Sequence, residues 1–463
     1  MQDPTPNTFL TGRLPVIFAK TAIPIIFVMS MNGLLTVADA LFLGHFVGPQ
    51  ALAAVTVVFP FYMLIVACAT LVSAGMSSLL ARHLGGSRFD EAERIYAAAH
   101  WLALVVGGIL ILLYLGLGGQ LIWLVTGGDS ALAELSASYL GILIFATPLT
   151  FVLAVNSDAL RNEGHVGMMA AMSLLVSIGN IGFNYLMIAV LDLGVAGSAY
   201  GTVEAQLLAL GVILAYRHSR GTLLHPVMVL RNVILQGSGR ILALGAPQSL
   251  GFIGIALGSS AILTALQMVG SSDYEVTVTA YGIVTRVVTF GFLPLLGVSQ
   301  AMQTITGNNF GAGLWQRSDN SLQIAVLVAL GFCLSVQAVF SLFAPQIAAA
   351  FVTDPAVVAK VAGIMPVMLA LFVLSGPLMM LAAHFQAIGD ARRAAVLSLT
   401  KPFAFAIPLT FALPLWFGEM AIWWAGPSAE VLLLLLAVWV LWARARSTQL
   451  NWGVFTSTEE ARS

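Results

Sequence analysis

Twelve stretches of this chain are each apolar over about 20 residues or more, the length a helix needs to cross a hydrocarbon core about 30 Å thick. They run over 15–43, 51–80, 94–125, 131–158, 167–190 and 194–217, then 240–269, 276–305, 320–351, 357–385, 393–416 and 418–443. Inside lipid no water is present to bond a free N–H or C=O, so each stretch must satisfy its backbone internally, as a helix does. The expected fold is an all-α polytopic membrane protein of twelve transmembrane helices. Charge agrees, since 463 residues carry only 19 Lys+Arg and 20 Asp+Glu, roughly a third of what a soluble chain of this length holds. The first stretch follows Met1 to Leu10 with no basic leader before it, and is read as a retained helix rather than a signal peptide.

The same sequence excludes several functions. It has no polybasic run to track a phosphate backbone, so no nucleic-acid partner is expected. There is no G-x-x-x-x-G-K-[ST] loop, no H-E-x-x-H pair and no Ser-His pair within the spans, so an enzyme is not expected and energy must come from elsewhere. Cys68 and Cys333 lie in apolar stretches and read as small fillers, and no two of the seven histidines have ligand spacing. No cofactor, metal or obligate protein partner is implied; the expected surroundings are the lipid bilayer and small molecules.

Basic residues fix the orientation, because cytoplasmic loops carry the excess of Lys and Arg. Sixteen of the nineteen, from Arg13 and Lys20 through Arg82, Arg161, Arg217, Arg317 and Arg392 to the C-terminal Arg462, fall at one side, against Lys360 alone in the opposite loops. Both termini are therefore expected in the cytoplasm of a plasma membrane, the inner membrane in a bacterium. Shifting the sequence by about 226 residues superposes its halves: Gly44 falls on Gly270, Ser73 on Ser299 and Gly85 on Gly311, and with small gaps Val125-Thr126 on Val352-Thr353, Pro148 on Pro377 and Gly164 on Gly389. An even number of helices per half makes this a parallel repeat, giving two pseudo-symmetric six-helix bundles. The expected organisation is a tail over 1–14, an N-lobe over 15–217 (helices 1–6), a cytoplasmic linker over 218–239, a C-lobe over 240–443 (helices 7–12) and a tail over 444–463. Two rocking bundles describe a carrier.

The string Thr36-Val37-Ala38-Asp39, then Gly44, Gly48-Pro49 and Leu52-Ala53-Ala54-Val55, resembles the helix 1 to helix 2 signature of the multidrug and toxic compound extrusion (MATE) family. Ala280-Tyr281-Gly282-Ile283, Arg286, Pro294-Leu295-Leu296-Gly297, Gln300 and Gly307-Asn308-Asn309-Phe310-Gly311-Ala312 resemble its helix 7 to helix 8 region. The resemblance covers about residues 10 to 445. It implies efflux of amphipathic, often cationic compounds by alternating access, driven by entry of H+ or Na+. Asp39, Asn180, Asn184 and Thr202 match the ion-site positions of the branch named for the DNA-damage-inducible protein F (DinF-like), although that branch often has an aspartate where this chain has Asn184. A lipid-linked precursor flippase of the same superfamily is the alternative, and would show a cationic cavity for pyrophosphate.

Asp39 stands out without the family, because an ionisable residue inside a span is costly and marks a functional path or a polar partner. Counted inward from the outer ends of their helices, Asp39, Asn184, Thr202 and Asn180 lie roughly 6 to 15 Å deep. Ser173, Ser177, Asn180 and Asn184 step by four, three and four along helix 5, forming one stripe. Small polar residues also glue membrane helices, the reading preferred for the serines; the two asparagines are read with Asp39. Low-dielectric surroundings favour the neutral form of an acid, so H+ coupling through Asp39 is preferred to Na+, which a single carboxylate attracts weakly. Pro24, fifteen residues earlier on helix 1, frees a carbonyl and is the expected bending point. Arg286, Lys401 and Glu430 are expected to form a polar network within the C-lobe. Asp39 falls opposite Ala265 in the repeat, so the aspartate is an addition to the shared scaffold.

Overall fold

A computed structural model of the chain describes residues 7–220, 222–231, 237–270, 273–448 and 450–455; at Leu34, Thr36, Val37, Ala38, Ala40, Leu41, Arg220, Leu230 and Arg231 it describes the backbone alone. The side chains of Thr36, Val37 and Ala38 in the helix 1 signature, the remainder of the expected linker and tails, and Arg462 therefore lie outside the described residues. Helices occupy nearly all of the rest, in twelve spans. Span 1 is Leu14–Phe42, span 2 Pro49–Gly85, span 3 Phe89–Val125, span 4 Ser130–Phe145 with Thr147–Asn162, span 5 Val166–Asn184 and span 6 Gly194–Arg220. After a short linker helix, Val227–Arg231, span 7 is Ser238–Val269, span 8 Tyr274–Gly311, span 9 Trp315–Leu342 with Ala344–Phe351, and span 10 Pro355–Met368 with Phe372–Ile388. Span 11 begins at Ala391–Leu399 and ends at Pro414–Phe417, and span 12 is Met420–Ser447.

The repeat is legible in these boundaries. Gly85 and Gly311 each end the second long helix of their half. Spans 4 and 10 are each broken in the middle by 47°. Asp129 caps the first part of span 4 by accepting from the amides of Ala131 and Leu132 at 3.0 and 3.1 Å, and Asp354 caps span 10 by accepting from Ala356 at 2.8 Å, each satisfying orphan N–H groups of a helix start. Both broken spans end at a glycine, Gly164 and Gly389, held at φ +90° where a Cβ is disfavoured.

Contacts between residues divide the chain into two compact units, one of Met1–Thr11 with Phe27–Phe252, the other of Gly12–Ile26 with Ile253–Ser463. In the first unit, spans 2 and 7 cross with backbones touching: a Cβ on Gly75 would lie 1.9 Å from the Ile241 carbonyl oxygen, and one on Gly245 1.8 Å from that of Leu71. Glycine at such a crossing replaces side chain by backbone contact, a common way for membrane helices to pack. A smaller cluster of Leu43, Ala51, Ile188 and Val195 joins the ends of spans 1, 2, 5 and 6. In the second unit, span 8 meets the first part of span 1 at Gly297, where a Cβ would lie 3.0 Å from the Ile26 backbone. An apolar core of this unit gathers Ala265, Tyr281, Val284, Val361, Ile364 and Trp423 from spans 7, 8, 10 and 12.

Candidate functional site: an intramembrane carboxylate and its polar chain

Spans 1 and 5 both change pitch close to Asp39. The α-helix of span 1 gives way to π-helical turns over Leu43–Val47, and that of span 5 to π-helical turns over Tyr185–Val190. The wider π turn displaces the residues beside it, and such turns recur where a helix presents functional groups. Asp39 lies four residues before the first π segment, and Asn184 immediately precedes the second.

The structure brings Asp39, Asn180, Asn184 and Thr202 together within the first unit. Asn184 Nδ2 donates to Asp39 Oδ1 at 2.7 Å and to Asn180 Oδ1 at 3.0 Å. Asn180 Nδ2 donates to Thr202 Oγ1 at 2.8 Å, and the Thr202 hydroxyl donates to the Ser198 carbonyl at 3.1 Å. The result is a chain across three spans in which the donors run outward from Asn184, one way to Asp39 and the other through Asn180 and Thr202 to the Ser198 carbonyl. Asn180 and Asn184 are fully buried. One atom stands apart: among the described residues Asn184 Oδ1, which is buried, has no hydrogen-bond partner; it faces Gly201, where a Cβ would sit 2.2 Å from it. An orphaned acceptor costs about 1 to 3 kcal/mol, so the chain is left one donor short. Ala265, the repeat partner of Asp39, is packed instead into the apolar core of the second unit.

In the second unit Lys401 of span 11 pairs with Glu430 of span 12, and the Ser375 hydroxyl of span 10 donates to the same carboxylate. Lys401 lies in a third π-helical segment, Thr400–Ala406. Arg286 is not part of this group. It is exposed on span 8 and makes no ion pair among the described residues, so the three-member network expected from the sequence is a pair. The physical reason is its helix face: Tyr281, Ile283, Val284 and Val287 point into the core, while Gly282, Arg286 and Phe290 fall on the opposite, exposed stripe.

A sequence-family profile described as MatE matches residues 24–186 and 252–412. The chain belongs to the MatE family. It is 22% identical over 402 residues to the multidrug export protein MepA of Staphylococcus aureus (strain NCTC 8325 / PS 47), covering 87% of each protein. It is 23% identical over 406 residues to MepA of Staphylococcus haemolyticus (strain JCSC1435), again covering 87% of each. Among solved structures, an outward-facing conformation of a multidrug resistance MATE family transporter superposes with a TM-score of 0.86 at 23% identity, over 96% of this chain and 98% of that one. A MATE in complex with MaL6 superposes with a TM-score of 0.85 at 24% identity over the same shares. MatE proteins are transporters and not enzymes, and this one is an integral membrane protein with the twelve-helix MATE fold.

This MatE chain also places residues at the site that the sequence did not single out. Tyr62 of span 2 and Tyr139 of span 4 lie within electrostatic reach of the Asp39 carboxylate. Tyrosines are few here, nine in all, and one within a span calls for a partner for its hydroxyl; that signal was available. At the opposite end of the first unit, Arg217 is fully buried rather than a solvated loop charge. Its Nη1 pairs with Glu163 Oε1 at 2.7 Å and donates to the Leu224 carbonyl at 2.8 Å, while its guanidinium covers the Tyr96 ring at 5.3 Å. Burial, and then the Arg217 charge, hold the nearby His165 imidazole below its ordinary range. Among the described residues no group of three or more His, Cys, Asp or Glu is placed to hold a metal ion.

Proposed function

We propose that this chain is a secondary multidrug efflux antiporter, working by alternating access and driven by H+ entering through Asp39. The observation that carries the reading is the chain from Asp39 through Asn184 and Asn180 to Thr202, with its single orphaned acceptor at Asn184 Oδ1. As it stands, the chain suits an ionised Asp39, which only accepts. A proton turns Asp39 into a donor, and the nearest unfilled acceptor in the chain is Asn184 Oδ1. Rotating the Asn184 amide to take that proton removes both hydrogen bonds its NH2 group makes, to Asp39 and to Asn180. Protonation therefore rewires the contacts that tie span 1 to span 5, and a different packing of span 1 becomes the more stable one. Bending of span 1 about Pro24 is the expected response, with release of substrate outward.

Na+ fits less well. Of the five side-chain oxygens offered by Asp39, Asn180, Asn184 and Thr202, Asp39 Oδ1, Asn180 Oδ1 and Thr202 Oγ1 already accept hydrogen bonds, and only one formal charge is present. The arrangement of six-helix lobes at 15–217 and 240–443, cytoplasmic termini, an inner-membrane location and membership of the DinF-like branch belong to the same proposal. The multidrug export activity named for MepA supports amphipathic compounds as cargo. A lipid-linked precursor flippase is the weaker reading, because a pyrophosphate needs more cationic groups than Arg286 supplies.

Asp39→Asn keeps the hydrogen-bonding shape and removes the titratable group. It is expected to abolish drug resistance and H+-driven efflux in proteoliposomes, with expression and thermal midpoint retained. A variant that still exports against a gradient sinks the proposal. Imposing a pH gradient and a Na+ gradient separately on the unaltered protein decides the ion.

A further inference from the structure

The last helix of each half ends in the same way. Arg217 and Arg444 each lie three residues before the end of their helix, span 6 at Arg220 and span 12 at Ser447. Each guanidinium covers an aromatic ring, that of Tyr96 at 5.3 Å and that of Phe385 at 5.1 Å, and after each the chain folds back. In the first half Leu224, seven residues on, accepts from Arg217 Nη1 at 2.8 Å and donates its amide to Glu163 Oε2 at 3.3 Å, while Glu163 Oε1 pairs with Arg217 Nη1 at 2.7 Å. One carboxylate thus joins the arginine to the returning chain. In the second half the returning chain is a turn in which Asn451 and Phe455 pair. Gly453, at φ +69°, seats it on span 12, where a Cβ would lie 2.2 Å from the Leu441 carbonyl oxygen.

The carboxylate is missing from this second arrangement. Gly164 and Gly389, both at φ +90°, mark the same point of the repeat, so Ile388 stands where Glu163 does, and His384 where the first half has Ala159. Between them lies a cavity of about 60 Å3, lined by Arg444, His384, Ile388, Ser318, Asp319 and, from the turn, Val454. Two nitrogens that border it have no hydrogen-bond partner among the described residues, His384 Nδ1, on a residue only 2% exposed, and Arg444 Nη1. Asp319 does not replace Glu163. It matches Glu93, each four residues into the third span of its half, so that acid is common to both halves. Asp390, also near Arg444, is held by Arg393. One guanidinium without the carboxylate its counterpart has, beside one acid, attracts a monovalent anion and opposes a divalent one. The volume is that of about two waters, enough for three or four heavy atoms.

We propose that this cavity binds a small monovalent oxyanion, of the size of formate or bicarbonate, which stands in for the Glu163 carboxylate of the first half and fastens the C-terminal turn to the end of span 12. Arg444 Nη1 donates to one of its oxygens in a charge-assisted bond, and His384 donates to it from Nδ1, the tautomer that an anion there selects. The site is independent of the efflux reading, since none of its residues belongs to the chain that begins at Asp39.

The test uses the full purified chain, exchanged into gluconate, an anion too bulky for the cavity, and titrated at constant ionic strength. Formate or bicarbonate is expected to raise the thermal midpoint by at least about 2 °C, with half-saturation on the order of 1 to 10 mM, and to slow amide hydrogen exchange over residues 450–455. Sulfate, a divalent anion, is expected to do neither. Ile388→Glu supplies the carboxylate covalently, and is expected to raise the midpoint in gluconate alone and to abolish the response to formate. Arg444→Gln and His384→Phe are expected to lose that response while eluting as the unaltered chain does, and they decide the matter should Ile388→Glu fail to fold. No response to formate or bicarbonate, an equal response to gluconate, sulfate or chloride, or a response to formate that survives in both Arg444→Gln and His384→Phe, overturns the oxyanion site.

Discussion

At Asn184 one atom decides the charge of the proposed coupling site. Its Nδ2 sits 2.7 Å from Asp39 Oδ1, a distance at which an aspartate in its place would put two carboxylates in contact. Two such groups cannot both ionise unless a proton or a cation lies between them. Asn184→Asp is therefore expected to make efflux several-fold faster in a Na+ gradient than in a matched choline gradient, whereas the unaltered chain is indifferent to the choice. Equal rates in the variant would mean that charge count does not select the ion here. The set Asp39, Asn180, Asn184 and Thr202 was named by the family resemblance, and depth counted along each helix at about 1.5 Å per residue agreed with it, a shared depth being a condition for meeting. The direction of each hydrogen bond was legible in neither, since it depends on side-chain rotation. Arg217 shows where charge counting fails. As one of the basic residues on the loop side it reads as a topology marker, but it is buried against Glu163 and the Tyr96 ring; Glu163 lies 54 residues earlier, and nothing local announces the pair.

At the level of the helix, apolar length and spacing gave all twelve spans, whereas pitch changes and breaks came only with the structure. All three π-helical segments among the described residues lie at an intramembrane charge or its partner: after Asp39, after Asn184, and around Lys401. A π turn costs hydrogen-bond geometry that propensity cannot favour, so it forms where surrounding contacts compensate, and those are tertiary. The breaks of spans 4 and 10 are similar; Pro148 lies just past one, but the break between Met368 and Phe372 has no proline within it. The crossing of spans 2 and 7 makes the strongest claim at this scale. Gly75 has no free volume toward Ile241, and the obstacle is a carbonyl that cannot rotate away. Gly75→Val should cost at least about 3 kcal/mol, the upper part of the range for overpacking, read as a lower thermal midpoint and reduced yield of folded protein. Gly108→Val on span 3, where no atom lies within 4 Å of the added Cβ, is the control and should be near neutral. Equal loss in both would assign the effect to helix propensity rather than to the crossing.

For the whole molecule, the informative fact is that the two compact units do not divide the chain at the linker expected over 218–239, which falls within the range of the first unit. Span 1 passes from the second unit to the first between Ile26 and Phe27, and span 7 passes from the first to the second between Phe252 and Ile253. The two helices are partners in the repeat, and each carries an internal proline shortly before the change, Pro24 and Pro247. The sequence pointed to Pro24 through its neighbour Asp39; Pro247 has no charged neighbour, and its role emerges only from the division of contacts. Each proline leaves the carbonyl four residues earlier, Lys20 or Ala243, without its helical hydrogen bond, so bending there breaks nothing. Asp39 and Pro24 lie on one helix about 22 Å apart and belong to different units, so span 1 is a covalent link between the group proposed to take up the proton and the other unit. Replacing either proline by alanine restores one backbone hydrogen bond, worth about 0.5 to 1.5 kcal/mol, that bending must then break. Pro24→Ala and Pro247→Ala are each expected to slow turnover by about three- to tenfold, with substrate affinity and thermal midpoint preserved or raised, and the double variant to be slower than either. Measured as initial efflux rates at saturating substrate under a fixed pH gradient, unchanged turnover in both single variants would show that neither helix bends during the cycle, and that the two units are coupled by some route other than the helices they share.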